Sequence, residues 1–138
     1  MIFVVVIVLV VALAVALVVA VAKDQGPQPI EIALAYEHAW DLLDFDVIYR
    51  LSGPELHDGL PKAQFVTVKR AAYANGSALR HLVEHTAAES EVREGDSATV
   101  VTRLTLRDGS VIHHEVRLLR RSRAWQVVAY QLRPASAA

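Results

Sequence analysis

The chain has 138 residues, 54% of them hydrophobic, with a formal charge of −1 and no cysteine. Interspersed charges of both signs exclude the basic footprint of a nucleic-acid-binding protein. The absence of cysteine excludes a disulfide framework but does not select a compartment.

From Ile2 to Ala22 the sequence reads IFVVVIVLVVALAVALVVAVA, with no charged, polar, Gly or Pro residue. At about 1.5 Å per residue a helix of this length spans about 32 Å, against a hydrocarbon core of about 30 Å. Ala20-Val21-Ala22 resembles a signal-peptidase site, but no Lys or Arg precedes the run, and it exceeds the usual length of a signal h-region. Residues 1–22 are therefore read as a single-pass transmembrane anchor in the cell membrane, with the lipid bilayer as its partner through residues 2–22. Lys23 on its C-terminal flank leans the domain towards the cytoplasmic side. The stretch 23–29, KDQGPQP, is a linker, residues 30–133 are one folded domain with a modest core, and 134–138 are a tail.

Pro29 suits the first turn of a helix. Ile32, Tyr36, Ala39, Trp40 and Leu43 then recur at three- and four-residue spacing, with Glu31, His38 and Asp41 on other faces. Asp44 is placed to cap a second helix carrying Val47, Ile48 and Leu51, with Asp46 in its first turn. Ser52-Gly53-Pro54 ends that helix and begins another turn. Pro61 opens a third helix with Phe65, Val68, Ala72 and Tyr73 near one face, which Asn75-Gly76 ends.

Beyond Ser77 the period changes to two. HLVEHTAAESEV, ATVVTRLTLR, SVIHHEVRLLR and AWQVVAYQLR read as four antiparallel strands. Asp108-Gly109 is expected to form a two-residue hairpin turn. That register places Leu104 opposite His113, Arg103 opposite His114 and Val101 opposite Val116. The fold class is α+β.

YEHAWDLLDFDVIYRLSGPEL, with its acidic-aromatic-acidic turn Asp44-Phe45-Asp46, resembles the first two helices of the nuclear transport factor 2-like superfamily. ATVVTRLTLRDGSVIHHEVRLLRRSRAWQVVAY, with Trp125 and Val127, resembles its terminal hairpins. The resemblance covers about Ile30 to Leu132. It implies a cone of about three helices on a curved four-stranded antiparallel sheet, enclosing a pocket. The superfamily includes isomerases, cyclases, dehydratases and members without catalysis, so the resemblance does not fix an activity. The architecture is also similar to bacterial envelope proteins that join one membrane helix to such a domain. Type IV secretion inner-membrane components and mammalian-cell-entry-associated proteins are examples.

Within that frame the candidate pocket residues are Tyr36, Trp40, Tyr73, Arg103 and His114. Val100, Thr102, His113, Glu115 and Arg117 form a candidate interaction face for a protein partner or a second copy of the chain. Asp41, Asp44 and Asp46 are read as caps and solvated acids. No strand aspartate is placed to partner Tyr36, so no catalytic set, metal site or cofactor is assigned. His81 and His85 are four apart on a strand, and the adjacent His113 and His114 must face opposite ways, which suits neither pair to one metal. Arg117, Arg120, Arg121 and Arg123 cluster around one turn and are read as solvated. The expected function is non-enzymatic binding, as a membrane-complex subunit or as a binder of a small apolar ligand. The alternative is a membrane-tethered isomerase, dehydratase or cyclase-like enzyme, with Tyr36 as donor and His114 or Asp41 as base.

Overall fold

The computed structural model describes the backbone of residues 1–24, 26–74 and 80–133, and the side chains of these except residues 16–24. The expected helix end at Asn75-Gly76 and the tail 134–138 lie outside the described residues. Among the described residues, four α-helices precede four strands: α1 Ile2–Asp24, α2 Pro29–Leu42, α3 Phe45–Leu51 and α4 Lys62–Ala72, then β1 Val83–Glu94, β2 Ser97–Leu106, β3 Val111–Arg121 and β4 Ala124–Leu132. The side chains from Met1 to Val15 are all exposed. Among the described residues, no helix is long and apolar enough to cross a membrane.

The helix boundaries have local causes. At the start of α2, Gln28 and Glu31 form a capping box, and Pro29 takes the first turn, where its missing N–H costs nothing. Asp44 caps α3 by accepting a hydrogen bond from the Val47 N–H at 3.4 Å. Gly53 ends that run; its N–H donates to the Val127 carbonyl at 2.8 Å, and a 3₁₀ turn follows at Pro54–Leu56.

The strands form one antiparallel sheet in the order β1-β2-β3-β4. Register shifts between Ala88 and Ser90 and between Arg117 and Leu118 insert extra residues, which bend the sheet towards α2–α4. The core between these layers includes Ile32, Ala33, Tyr36, Phe45, Ile48, Phe65, Val100, Val116, Leu118, Trp125 and Val127. This is the α+β architecture expected from the sequence.

The β2–β3 register corrects the expectation. Gly109 N–H donates to the Leu106 carbonyl, Leu106 N–H donates to Ser110, and Gly109 has φ +88°. The loop therefore has three residues: a turn followed by a left-handed glycine bulge. Arg103 consequently pairs with His113, Thr102 with His114 and Val100 with Val116. A one-residue slip exchanges the two faces of a strand. Val100 and Thr102 point into the core and are fully buried, whereas Arg103 is exposed.

Two contacts fix how α2 lies along the sheet. At its N-terminal end Arg93 donates to the Gln28 side chain at 2.8 Å. At its C-terminal end Asp41 Oδ1 accepts from the N–H groups of Leu82 and Val83, at 2.8 and 3.1 Å. The entry to the domain thus shares one end of the sheet with the β1–β2 turn, and the C-terminus of α2 lies at the other end.

Candidate functional site

Ala33, Tyr36, Glu37 and Trp40 sit at positions i, i+3, i+4 and i+7 of α2, so Glu37 is carried into the core with its apolar neighbours. It is 2% exposed. A buried carboxylate requires donors, and the sheet supplies them. The Thr102 hydroxyl donates to Glu37 Oε1 at 2.9 Å, and the Tyr130 hydroxyl donates to Oε2 at 2.6 Å. His114 Nδ1 lies 2.9 Å from Oε1, 3.2 Å from Oε2 and 2.8 Å from the Tyr130 oxygen. One residue from each of α2, β2, β3 and β4 meets at this carboxylate.

Hydrogen bonding assigns the imidazole tautomer. The Tyr130 proton is used on Glu37, and a carboxylate only accepts, so the proton on Nδ1 points at Glu37. Nε2 is then left to act towards its surroundings. Among the described residues the one buried side-chain nitrogen or oxygen without a partner is Trp40 Nε1. His114 Nε2 has no protein partner among them either, and the His114 side chain as a whole is 15% exposed. β4 ends at Leu132, directly opposite His114.

Burial pushes the Tyr130 phenol well above its ordinary range, and the Glu37 charge pushes it further. Burial also raises Tyr36; the nearby Trp40 N–H opposes that rise without closing a hydrogen bond, and the Glu37 charge adds to it. Both phenols are held neutral, and Tyr130 donates to Glu37. Tyr36 packs edge-on against Tyr130 at 5.1 Å between ring centres and against Trp40 at 6.5 Å. Trp40 in turn packs on Tyr73 at 6.0 Å, so an aromatic row runs from Tyr73 to the ring of His114.

Of the expected pocket residues, Tyr36, Trp40, Tyr73 and His114 are thus brought together and Arg103 is not. Of the expected interaction face, His113, Glu115 and Arg117 lie on the outer face of the sheet, with His113 bound to Glu89 at 3.1 Å. Val100 and Thr102 do not belong to that face. Asp41 is a ligand of the β1 backbone, and Asp46 pairs with Lys62 at 3.4 Å. In the arginine turn, Arg120 pairs with Asp96 and Arg121 with Glu55. His81 and His85 line a groove of about 320 Å³ with His38 and Asp41. Among the described residues no group of three or more His, Asp or Glu is arranged to hold a metal.

Glu37, Tyr130 and the role of Thr102 escaped the sequence reading. The signal for Glu37 was its place in the middle of the apolar stripe of α2. Tyr130 pairs with Val116, two residues along β3 from His114 and on the same face.

Solved structures share this architecture. A candidate NTF2-like transpeptidase from Campylobacter jejuni aligns over 73% of this chain and 97% of its own, at 16% identity and a TM-score of 0.58. A SEC-C-motif-containing protein from Rhodopseudomonas palustris aligns over 77% and 79%, at 18% identity and a TM-score of 0.53. An NTF2-like protein of unknown function from Silicibacter pomeroyi aligns over 74% and 90%, at 16% identity and a TM-score of 0.49. At these identities the likeness is one of fold, and the fold is NTF2-like. No family model and no curated protein sequence matches the chain.

Proposed function

We propose that the chain is a single-pass membrane protein whose NTF2-like domain acts by binding, as a subunit of a membrane complex or as the holder of a small ligand. The observation that carries this reading is α1. Every side chain from Ile2 to Val15 is apolar and exposed, and the uncharged sequence continues to Ala22. A contiguous apolar surface of that size requires lipid or a partner. Binding without turnover is supported by the saturation of Glu37, whose two oxygens are taken up by donors from three strands. The test is fractionation of the full chain, with alkaline carbonate extraction of the membranes. The full chain should stay in the carbonate-resistant membrane fraction, and a chain lacking residues 2–24 should not. Full-length protein released by carbonate would overturn anchoring.

One observation favours a second reading, a membrane-tethered acid–base enzyme. Glu37 holds His114 by Nδ1, the geometry that orients an imidazole to accept a proton at Nε2. Turnover abolished by His114→Ala in a protein that still folds would replace binding with catalysis.

A further inference from the structure

Of the six histidines, three have their ring bonded within the chain: His57 to the Tyr49 carbonyl, His113 to Glu89 and His114 to Glu37. Among the described residues the rings of the other three, His38, His81 and His85, have no hydrogen-bond partner, and all three residues are exposed. They come from separate pieces of the chain, in α2, ahead of β1 and in β1, yet all line the same groove of about 320 Å³.

The backbone around this groove is held away from its ordinary course. His81 has φ +58°, a left-handed conformation uncommon for a residue with a side chain. Two hydrogen bonds fix it there. Its N–H donates to the Asp41 carbonyl at 3.0 Å, and its own carbonyl accepts from Arg107 Nε at 2.6 Å. Strain over-determined in this way collects at functional positions. The register shift between Val83 and His85 also makes Glu84 the extra residue of a bulge, which re-aims the side chains beside it.

Arg107 spends Nε on His81; among the described residues its two terminal nitrogens have no partner and remain for the groove. Two carboxylates face the same space. Asp41 gives Oδ1 to the Leu82 and Val83 N–H groups, whereas Glu84 has no partner among the described residues. Asp108, in the adjoining turn, is taken up by Ser110. With the imidazoles neutral, Arg107 stands alone against Asp41 and Glu84. With them protonated, four cations stand against the same two acids, a change that imidazoles make between about pH 8 and about pH 5.

We propose that this groove binds a small dianion of the sulfate or phosphate type, held by Arg107 and by protonated His38, His81 and His85, on the acid side of neutrality. The site shares no residue with the Glu37 cluster and does not depend on the role of α1. Sulfate is the probe, because it keeps both charges over this range whereas phosphate titrates within it. The full chain with isotope-labelled histidines, in a non-ionic detergent, reports the six imidazoles separately by NMR. At about pH 5.5 and constant ionic strength, sulfate should shift the His38, His81 and His85 signals saturably and leave those of His57, His113 and His114 in place. The dissociation constant should rise at least tenfold between about pH 5.5 and about pH 8. Arg107→Gln should weaken binding at least fivefold at the lower pH, with the three control signals unmoved to show that the fold is kept. His38→Gln, at an exposed helix position, should weaken it at least threefold. Equal shifts at all six imidazoles, a lack of saturation, or the same affinity at both pH values overturns the proposal. Shifts produced by phosphatidic acid in the micelle and not by free sulfate overturn it in favour of a lipid headgroup.

Discussion

The N-terminal half of α1 and the Glu37 cluster break the ordinary partition of residues in opposite directions. One leaves a run of Val, Leu and Ile in the open, and the other draws a carboxylate, an imidazole and two hydroxyls into or beside the core. Exposure of single apolar residues is ordinary, whereas a buried carboxylate or a large continuous apolar surface is not. The two exceptions are resolved differently. The cluster satisfies itself from within the chain, since β2, β3 and β4 each supply it a donor. Among the described residues, nothing covers the apolar half-helix. The contrast separates what the fold completes alone from what it leaves to its surroundings.

The largest expected effect comes from emptying the cluster. Glu37→Ala leaves Thr102, His114 and Tyr130 without their common acceptor. Removing one member of such a buried set costs about 3–5 kcal/mol. In a domain of this size that lowers the melting temperature by about 15 °C or more, as read by near-UV circular dichroism of the full chain in mild detergent. A loss below about 1 kcal/mol would mean that the cluster does not hold α2 on the sheet, and the contrast drawn above would fail. Thr102→Val removes one donor and keeps the shape, so it should cost about 1–2 kcal/mol by the same melt. Val10→Ala in α1 should leave the melt of the domain unchanged within about 0.5 kcal/mol, because its side chain is exposed.

How much of this could be read beforehand follows from the same physics. The acids of DFD were legible because capping is local: Asp44 caps α3 over a separation of three residues. The strands and their faces were legible as alternation within each strand. Their relative register was not, because Asp108-Gly109 is compatible with both a two-residue and a three-residue loop, and one residue of difference decides whether His114 faces Arg103 or Thr102. Gly109→Ala bears on that point. A Cβ in the left-handed region costs about 1–2 kcal/mol, and the loss should appear as a lower urea midpoint. Glu37 has only one local cue, a helical position among Ala33, Tyr36 and Trp40 that points inwards. Its partners lie 65 to 93 residues away, and no local pattern supplies them.

The smallest expected effect lies at the surface and depends on pH. Glu55 donates nothing to the core; it receives Arg121, whose Nη1 lies 2.9 Å from Oε1. This hydrogen bond from Arg121 lowers the Glu55 carboxyl from its ordinary 4.5 to about 2. A carboxyl depressed in the folded state stabilises the fold above its unfolded value, and the contribution disappears as pH falls from about 4.5 towards 2. Both side chains are 38% exposed, so solvent screening keeps the effect small. Urea midpoints measured across that window should fall more steeply for the native chain than for Glu55→Gln. Gly53→Ala should flatten the same window, because a Cβ there would sit 2.6 Å from Glu55 Oε1 and 3.1 Å from Arg121 Nη1 and would push the pair apart. If Gly53→Ala keeps the native slope while Glu55→Gln loses it, the pair re-forms around the added methyl. Thr102→Val should leave this acid slope untouched, since it alters the buried carboxylate and not the exposed one.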